Sequence, residues 1–300
     1  MSGPYELHGP LPALDRPVLV VHFGGWIDAS AAGAAAMSAL AASCSTEPLA
    51  TFDSDLFIDY RARRPLMELR DGVNTRLVWN DIELRHGTDP RGNAVLTLTG
   101  PEPDSQWKTF ASAVTQLALQ LGVYQMVSLG AYPFASPHTR ASRMSCTSPS
   151  ADLIANSPYE KSTLDVPAGM SAVLEHALTE AGVPSLGLWV QIPHYVSAMS
   201  YPAASVVLLR GLGEATGIDI PYHELEREAL VQRQRIDQLV ESNDEHGAMV
   251  RQLEALYDQA ERQAVQQAAD QARDELASGD LPTGDDLAAE FERFLRDQDE

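Results

Sequence analysis

The sequence predicts an α/β fold: a mostly parallel sheet with helices on both faces, a three-layer α/β/α arrangement. Three observations predict it. Short apolar or β-branched runs alternate with helical patterns from about residue 17 to residue 216. Most of these runs end in a glycine or proline turn. Hydrophobic residues make up 44% of a 300-residue chain, enough for a sizeable core. Parallel strands need long crossovers, and intervening helices supply them.

The opening unit sets the pattern. Val18, Leu19, Val20, Val21, His22 and Phe23 form a strand that breaks at Gly24-Gly25-Trp26, and Asp28 then caps an Ala-rich helix ending near Ser43. Residues 1–16, rich in Pro and Gly, read as a partly ordered arm, and 46–52 as a second strand. Asp53, Asp55 and Asp59 lack the glycine and distal Glu of a calcium loop, so they are expected to cap or face solvent beside Arg61, Arg63 and Arg64. Two runs near 66–79 flank Asp71-Gly72, a β-hairpin signal inserted into the sheet. Such an edge needs a cover, and another subunit is one.

Residues 94–99 predict a buried strand ending at Gly100-Pro101-Glu102-Pro103. Asp104 or Ser105 would cap a helix to Leu121, with Phe110, Val114 and Leu117 on one face. A strand over 125–129 ends at Gly130, and an irregular loop carries Pro137-His138-Thr139-Arg140. A helix over 167–181, a strand over 185–192 closing on Pro193-His194-Tyr195-Val196, and a helix over 202–216 complete the core, 1–221. From 222 to 300 the texture is charged and helical, a separate subdomain read as a helical hairpin with a short helix over 285–297. It is expected either to pack as a lid or to project as a partner surface.

Ligands of such sheets bind beyond the carboxyl ends of the strands. The loops 24–28, 131–140 and 193–195 all leave such ends. Candidate pocket residues are therefore Gly24, Gly25, Trp26, Asp28, His138, Thr139, Arg140, His194 and Tyr195. Arg140 is the candidate to meet an anion. His138, His194 and Asp28 can also be written as acid/base groups or metal ligands, but structural or ligand-binding histidines are the favoured reading, with no metal and no cofactor expected.

Composition narrows the partners. With 21 Lys+Arg against 42 Asp+Glu the net charge is −21, which opposes a nucleic-acid or anionic-membrane partner. The 79 residues from Tyr222 hold 21 acidic and 8 basic side chains, so −13 of that charge sits there. Cys44 and Cys146 read as reduced, buried thiols, and residues 1–10 carry no secretory signal, so a cytoplasmic protein is expected. There is no phosphate loop, no nucleophile elbow and no His-Glu-x-x-His, and Gly211-Leu-Gly213 follows a helix and reads as its terminator. The catalytic residues, if any, are not identified.

Four segments in order, Gly24-Gly25-Trp26-Ile27-Asp28-Ala29, Gly100-Pro101-Glu102-Pro103 with Trp107, Pro137-His138-Thr139-Arg140 and Pro193-His194-Tyr195-Val196, resemble the proteasome assembly chaperone 2 family, in its actinobacterial branch. The chain departs at Ala141, where the branch often has Pro, and at Pro167-Ala168-Gly169, where it often has a longer Tyr- and Gly-containing motif. The resemblance implies a phosphorylase/hydrolase-like core, an inserted hairpin used in oligomerisation, a C-terminal helical lid and a homotrimer. It implies a bacterial member of undefined biochemical activity, with proteasome subunits as partners by way of the eukaryotic relatives that act in assembling the 20S proteasome, and it brings no catalytic residue set. Two functions are weighed: a protein- or ligand-binding chaperone-like module, and a hydrolase or phosphorylase acting on a small molecule.

Overall fold

The computed structural model describes residues 3–25 and 27–278; the short helix expected over 285–297 lies outside them. The chain forms two compact units, the second beginning at Ala248. In the first unit the strands are β1 (Tyr5–Leu7), β2 (Val18–Gly24), β3 (Glu47–Phe52), β4 (Leu66–Arg70), β5 (Val73–Val78), β6 (Glu83–Thr88), β7 (Ala94–Pro101), β8 (Gln125–Phe134), β9 (Met144–Thr147) and β10 (Ser185–Pro193). The helices are α1 (Ala32–Ser43), α2 (Ser54–Phe57), α3 (Trp107–Gln120), α4 (Ala151–Ala155), α5 (Met170–Glu180), α6 (Pro202–Thr216) and α7 (His223–Glu241). The long helix α8 (Asp244–Ser278) makes up most of what is described in the second unit.

Eight strands form one sheet in the order β1-β3-β6-β7-β2-β8-β10-β9. The central four, β7, β2, β8 and β10, are parallel, and antiparallel strands flank them. Val18 to Phe23 is buried throughout because helices cover both faces. Val18 and Val20 face α1 and α6, whereas Leu19, Val21 and Phe23 face α3 and α5.

Several boundaries differ from the sequence reading, each for a physical reason. The N-terminal arm contains β1, whose Tyr5 pairs with Phe52 and packs edge-on against its ring at 5.8 Å. Strands β6 and β9 have weak patterns because each pairs at the flank of the sheet, where one face needs no apolar run. Strand β8 passes through Gly130 to Phe134: that residue is glycine because a Cβ there would lie 2.3 Å from the Trp189 ring. Helix α3 starts at Trp107 behind Gln106 in the left-handed region, so neither Asp104 nor Ser105 is its cap. Helix α5 starts at Met170, whose N–H donates to Glu102 Oε1 at 2.7 Å. Asp71 and Gly72 (φ +50° and +81°) form the hairpin turn, and β4 and β5 pair only with each other.

Both cysteines are free and buried, and burial pushes the Cys44 thiol up to about 12. One buried carboxyl stands apart. Glu175 on α5 accepts from Ser128 Oγ of β8 at 3.0 Å and Thr147 Oγ1 of β9 at 3.1 Å. Burial raises its pKa from 4.5 to about 7, more than the two hydroxyl donors offset. An acid that titrates higher folded than unfolded loses stability as pH rises from its unfolded toward its folded value. Glu175 therefore costs about 3 kcal/mol above pH 7 and nothing below pH 4. Glu175→Gln should raise the melting temperature by several degrees at pH 8 and leave it unchanged at pH 4; equal melting shifts at both pH values would contradict this assignment.

Candidate functional site

The crevice forms where β2, β8 and β10 end on the same side of the sheet, because parallel strands present their carboxyl ends together. Gly24 closes β2, and Gly25 follows at φ +146°, a conformation only glycine adopts readily. A Cβ on Gly25 would also sit 2.9 Å from Arg63 Nη2. The Arg63 guanidinium thus lies over the glycine turn, held through Nε by Asp104 at 3.2 Å. Trp26 lies outside the described residues.

Asp28 forms a parallel bridge with Ala131 of β8, which carries the path of β2 past its turn. Its carboxylate accepts from the Gly33 and Ala34 N–H groups at 2.8 and 3.0 Å. It therefore caps α1, but from outside: the residue at the cap position is Ala31. Asp28 also lies 3.3 Å from His22 Nε2, while His22 Nδ1 donates to the Leu129 carbonyl at 3.0 Å. Burial alone would raise the Asp28 pKa, but His22 and the two amides outweigh it and hold the carboxyl below its ordinary value.

The loops after β2 and β10 meet at Ser30. Its N–H donates to Ser197 O at 2.8 Å and its Oγ to Val196 O at 3.1 Å. Ser30 and Ala31 both sit in the left-handed region (φ +61° and +52°), strained for residues with a side chain, and these bonds hold them there.

His138 is buried, with both ring nitrogens engaged. Its Nε2 lies 2.9 Å from Asp237 Oδ1 of α7, and its Nδ1 lies 2.6 Å from Tyr195 Oη, which also accepts the His138 backbone N–H at 2.8 Å. A carboxylate only accepts, so Nε2–H donates to Asp237, and in the neutral ring Nδ1 accepts the phenol hydrogen. The result is a Tyr195–His138–Asp237 chain that fastens α7 to the ends of β8 and β10. Arg140 reaches back to Thr139 Oγ1 at 3.4 Å, and the Thr139 carbonyl accepts from Arg233 of α7 at 3.4 Å.

The structure brings His138, Thr139, Arg140 and Tyr195 together. His194 is exposed and meets only the edge of the Tyr195 ring, centroids 5.4 Å apart, among its described ring contacts. Asp28 belongs instead to the His22 pair. The reading of Asp28, His138 and His194 as one ligand set is therefore not met, and no group of three acidic, His or Cys side chains is arranged for a metal ion among the described residues. Sequence reasoning passed over His22, Arg63 and Asp237. A histidine inside an otherwise apolar strand was the available signal for His22; Asp237, 99 residues from its partner, gave none.

Residues 22–240 match a family model described as PAC2 family. Rv2714 from Mycobacterium tuberculosis, a protein of unknown function, is 34% identical, with 89% of this chain and 93% of that one aligned at a TM-score of 0.83. A protein of unknown function from Corynebacterium glutamicum is 32% identical over 85% and 96% of the two chains, TM-score 0.80. Rv2125 from Mycobacterium tuberculosis, a proteasome-assembly chaperone homologue, is 30% identical over 78% and 99%, TM-score 0.73. No curated protein matches the chain.

Removing one partner of the latch leaves a buried ring N–H without an acceptor, a cost of about 1–3 kcal/mol. Asp237→Ala should therefore speed amide hydrogen exchange across α7 while β2 and β8 keep their protection. Unchanged exchange in α7 would show that Asp237 does not hold the helix down.

Proposed function

The chain belongs to the PAC2 family, and we propose that it is a cytoplasmic, homotrimeric, chaperone-like protein that works by binding other proteins, proteasome subunits first among them, and not by catalysis. The observation that carries this reading is the β4–β5 hairpin. It projects from the sheet with Leu66, Met67, Leu69, Val73, Leu77 and Trp79 all exposed. Met67, Leu69, Leu77 and Trp79 share one face of it by register, exposed apolar surface of this kind marks a protein-docking site, and a two-stranded hairpin gains little stability by itself in water. The likeness to a proteasome-assembly chaperone homologue at 30% identity supports the choice of partner.

The strand-end crevice is the proposed ligand pocket, with Gly24, Gly25, Asp28, His138, Thr139, Arg140, His194 and Tyr195 around it. Helix α7 acts as its lid, fastened by the bond from Asp237 to His138. A hydrolase or phosphorylase reading would draw on Asp28, His138 and His194 as acid/base groups; of these Asp28 is engaged by the Gly33 and Ala34 amides beside His22, and His138 by Tyr195 and Asp237. The acidic surface suits a partner with a basic face, and no helix among the described residues is long and apolar enough to cross a membrane.

Two measurements test the reading. Native mass spectrometry should give three times the 32.5 kDa chain mass, and deletion of residues 69–76 should reduce it to one. Immobilised protein should retain proteasome α subunits at physiological salt. A monomeric wild type would overturn the oligomer, and no retention of any α subunit would overturn the partner.

A further inference from the structure

Away from the strand-end crevice, the α5 side of the sheet carries an indole laid flat across three strands. Helix α5 starts beside Glu102 at the end of β7 and reaches β8 and β9 at Glu175, so it covers only their lower parts. Above it, one end of the Trp189 ring rests on Gly130 of β8, where no Cβ would fit. The other end lies beside Gly187, and its Nε1–H donates to Thr147 Oγ1 of β9 at 3.1 Å. Two glycines thus admit the indole to the sheet, which closes its inner face. Trp189 is half-buried and no second aromatic ring meets it among the described residues, so the surface it offers is its outer face.

A polar row stands beside the ring. Two residues further along the strands, register sets Tyr132 of β8, Gln191 of β10 and Arg143, just before β9, side by side. Glu160 joins them: its Oε1 accepts from Arg143 at 3.3 Å and its Oε2 from Gln191 Nε2 at 2.8 Å. Each carboxylate oxygen keeps a further lone pair, and Glu160 is exposed. Gln191 is 2% exposed, and its Oε1 has no partner among the described residues. Tyr132 crosses β10 to meet Ser145 Oγ at 3.2 Å, so its phenol is committed.

These features narrow the ligand. Trp189 Nε1–H and Tyr132 Oη are both engaged within the protein, so neither is available to hold a peptide carbonyl. A net charge of −21 and the Glu160 carboxylate oppose a phosphorylated or acidic ligand. A neutral ring with one apolar face and a polar rim fits. A pyranose has that shape: axial C–H bonds gather on one face, where they meet the negative face of an indole, and hydroxyls point outward.

We propose that this face is a carbohydrate site, taking a neutral pyranose stacked on Trp189 with its hydroxyls donating to Glu160. A hydroxyl entering beside Tyr132 supplies the donor that Gln191 Oε1 lacks. Arg143 and the Gln191 amide orient the Glu160 carboxylate and so act as positioning residues. The site is separate from the strand-end crevice and does not depend on the chaperone reading.

Saturation-transfer NMR on the full-length protein with maltose, cellobiose and lactose tests it. At least one sugar should receive saturation, strongest at the axial protons of one ring face, with a Kd of about 1 to 10 mM. Trp189→Leu, which keeps an apolar group on the glycines but no stacking plane, should weaken binding about tenfold, whereas Trp189→Phe should retain most of it. Glu160→Ala, at an exposed position, should also weaken it about tenfold. Circular dichroism establishes that each variant is folded; where Trp189→Leu is not, Glu160→Ala carries the test. No transfer to any of the three sugars, or transfer that the folded variants leave unchanged, overturns the site. Transfer to a proline decapeptide in place of the sugars overturns it in favour of a peptide.

Discussion

Much of the first unit is tied together through the buried contact between His22 and Asp28. Asp28 sits where the path of β2 leaves its glycine turn, pairs with Ala131 of β8, and takes the first free amides of α1 on its carboxylate. His22, on β2, faces the same carboxylate and donates to the carbonyl of Leu129 in β8. One strand, its neighbour and the first helix therefore depend on two side chains. A buried carboxylate without donors would meet the full desolvation cost; here two amides donate to it and an imidazole lies 3.3 Å away, and its lowered pKa is the electrostatic sign of that.

The parts of this architecture that sequence could reveal are those dictated by local burial. Strands β2, β7, β8 and β10 lie between helical layers, so their side chains are apolar on both faces and their runs stand out. The hairpin turn is equally local, because Asp-Gly supports the positive φ values that a two-residue turn requires. Strands β1, β6 and β9 are short or one-sided and take their conformation from a neighbour distant in sequence, so their own residues carry no clear period. Gly130 misled in an instructive way. It reads as a strand terminator, yet its role is to admit the Trp189 ring from the next strand.

The site divides along the same line. That three loops leave the same end of the sheet follows from topology, and Ser30 bonded to the 196–197 backbone shows two of them touching. What topology could not assign was which side chains pair. His138 and His194 look alike in sequence, each after a proline at a strand end, but one is buried between Tyr195 and Asp237 and the other faces solvent. The difference comes from α7, whose buried Ile236 packs into the core and so brings Asp237 over the crevice.

The same row of strand ends also sets the direction of the hairpin. Arg63 belongs to the segment that leads into β4: its N–H donates to Asp59 O, its carbonyl accepts from Asn80 just beyond β5, and its guanidinium lies over Gly25. Tyr60 and Trp79 meet across the hairpin base with ring centroids 4.9 Å apart. A projecting two-stranded element can serve as a docking arm only if its base is fixed, since a freely pivoting arm loses its ordering entropy on contact. A side chain at position 25 would crowd the Arg63 guanidinium and strain the backbone at φ +146°. The glycine turn at the end of β2 thus shapes the crevice and leaves room for the guanidinium of the segment that leads into the hairpin, and both follow from a missing Cβ.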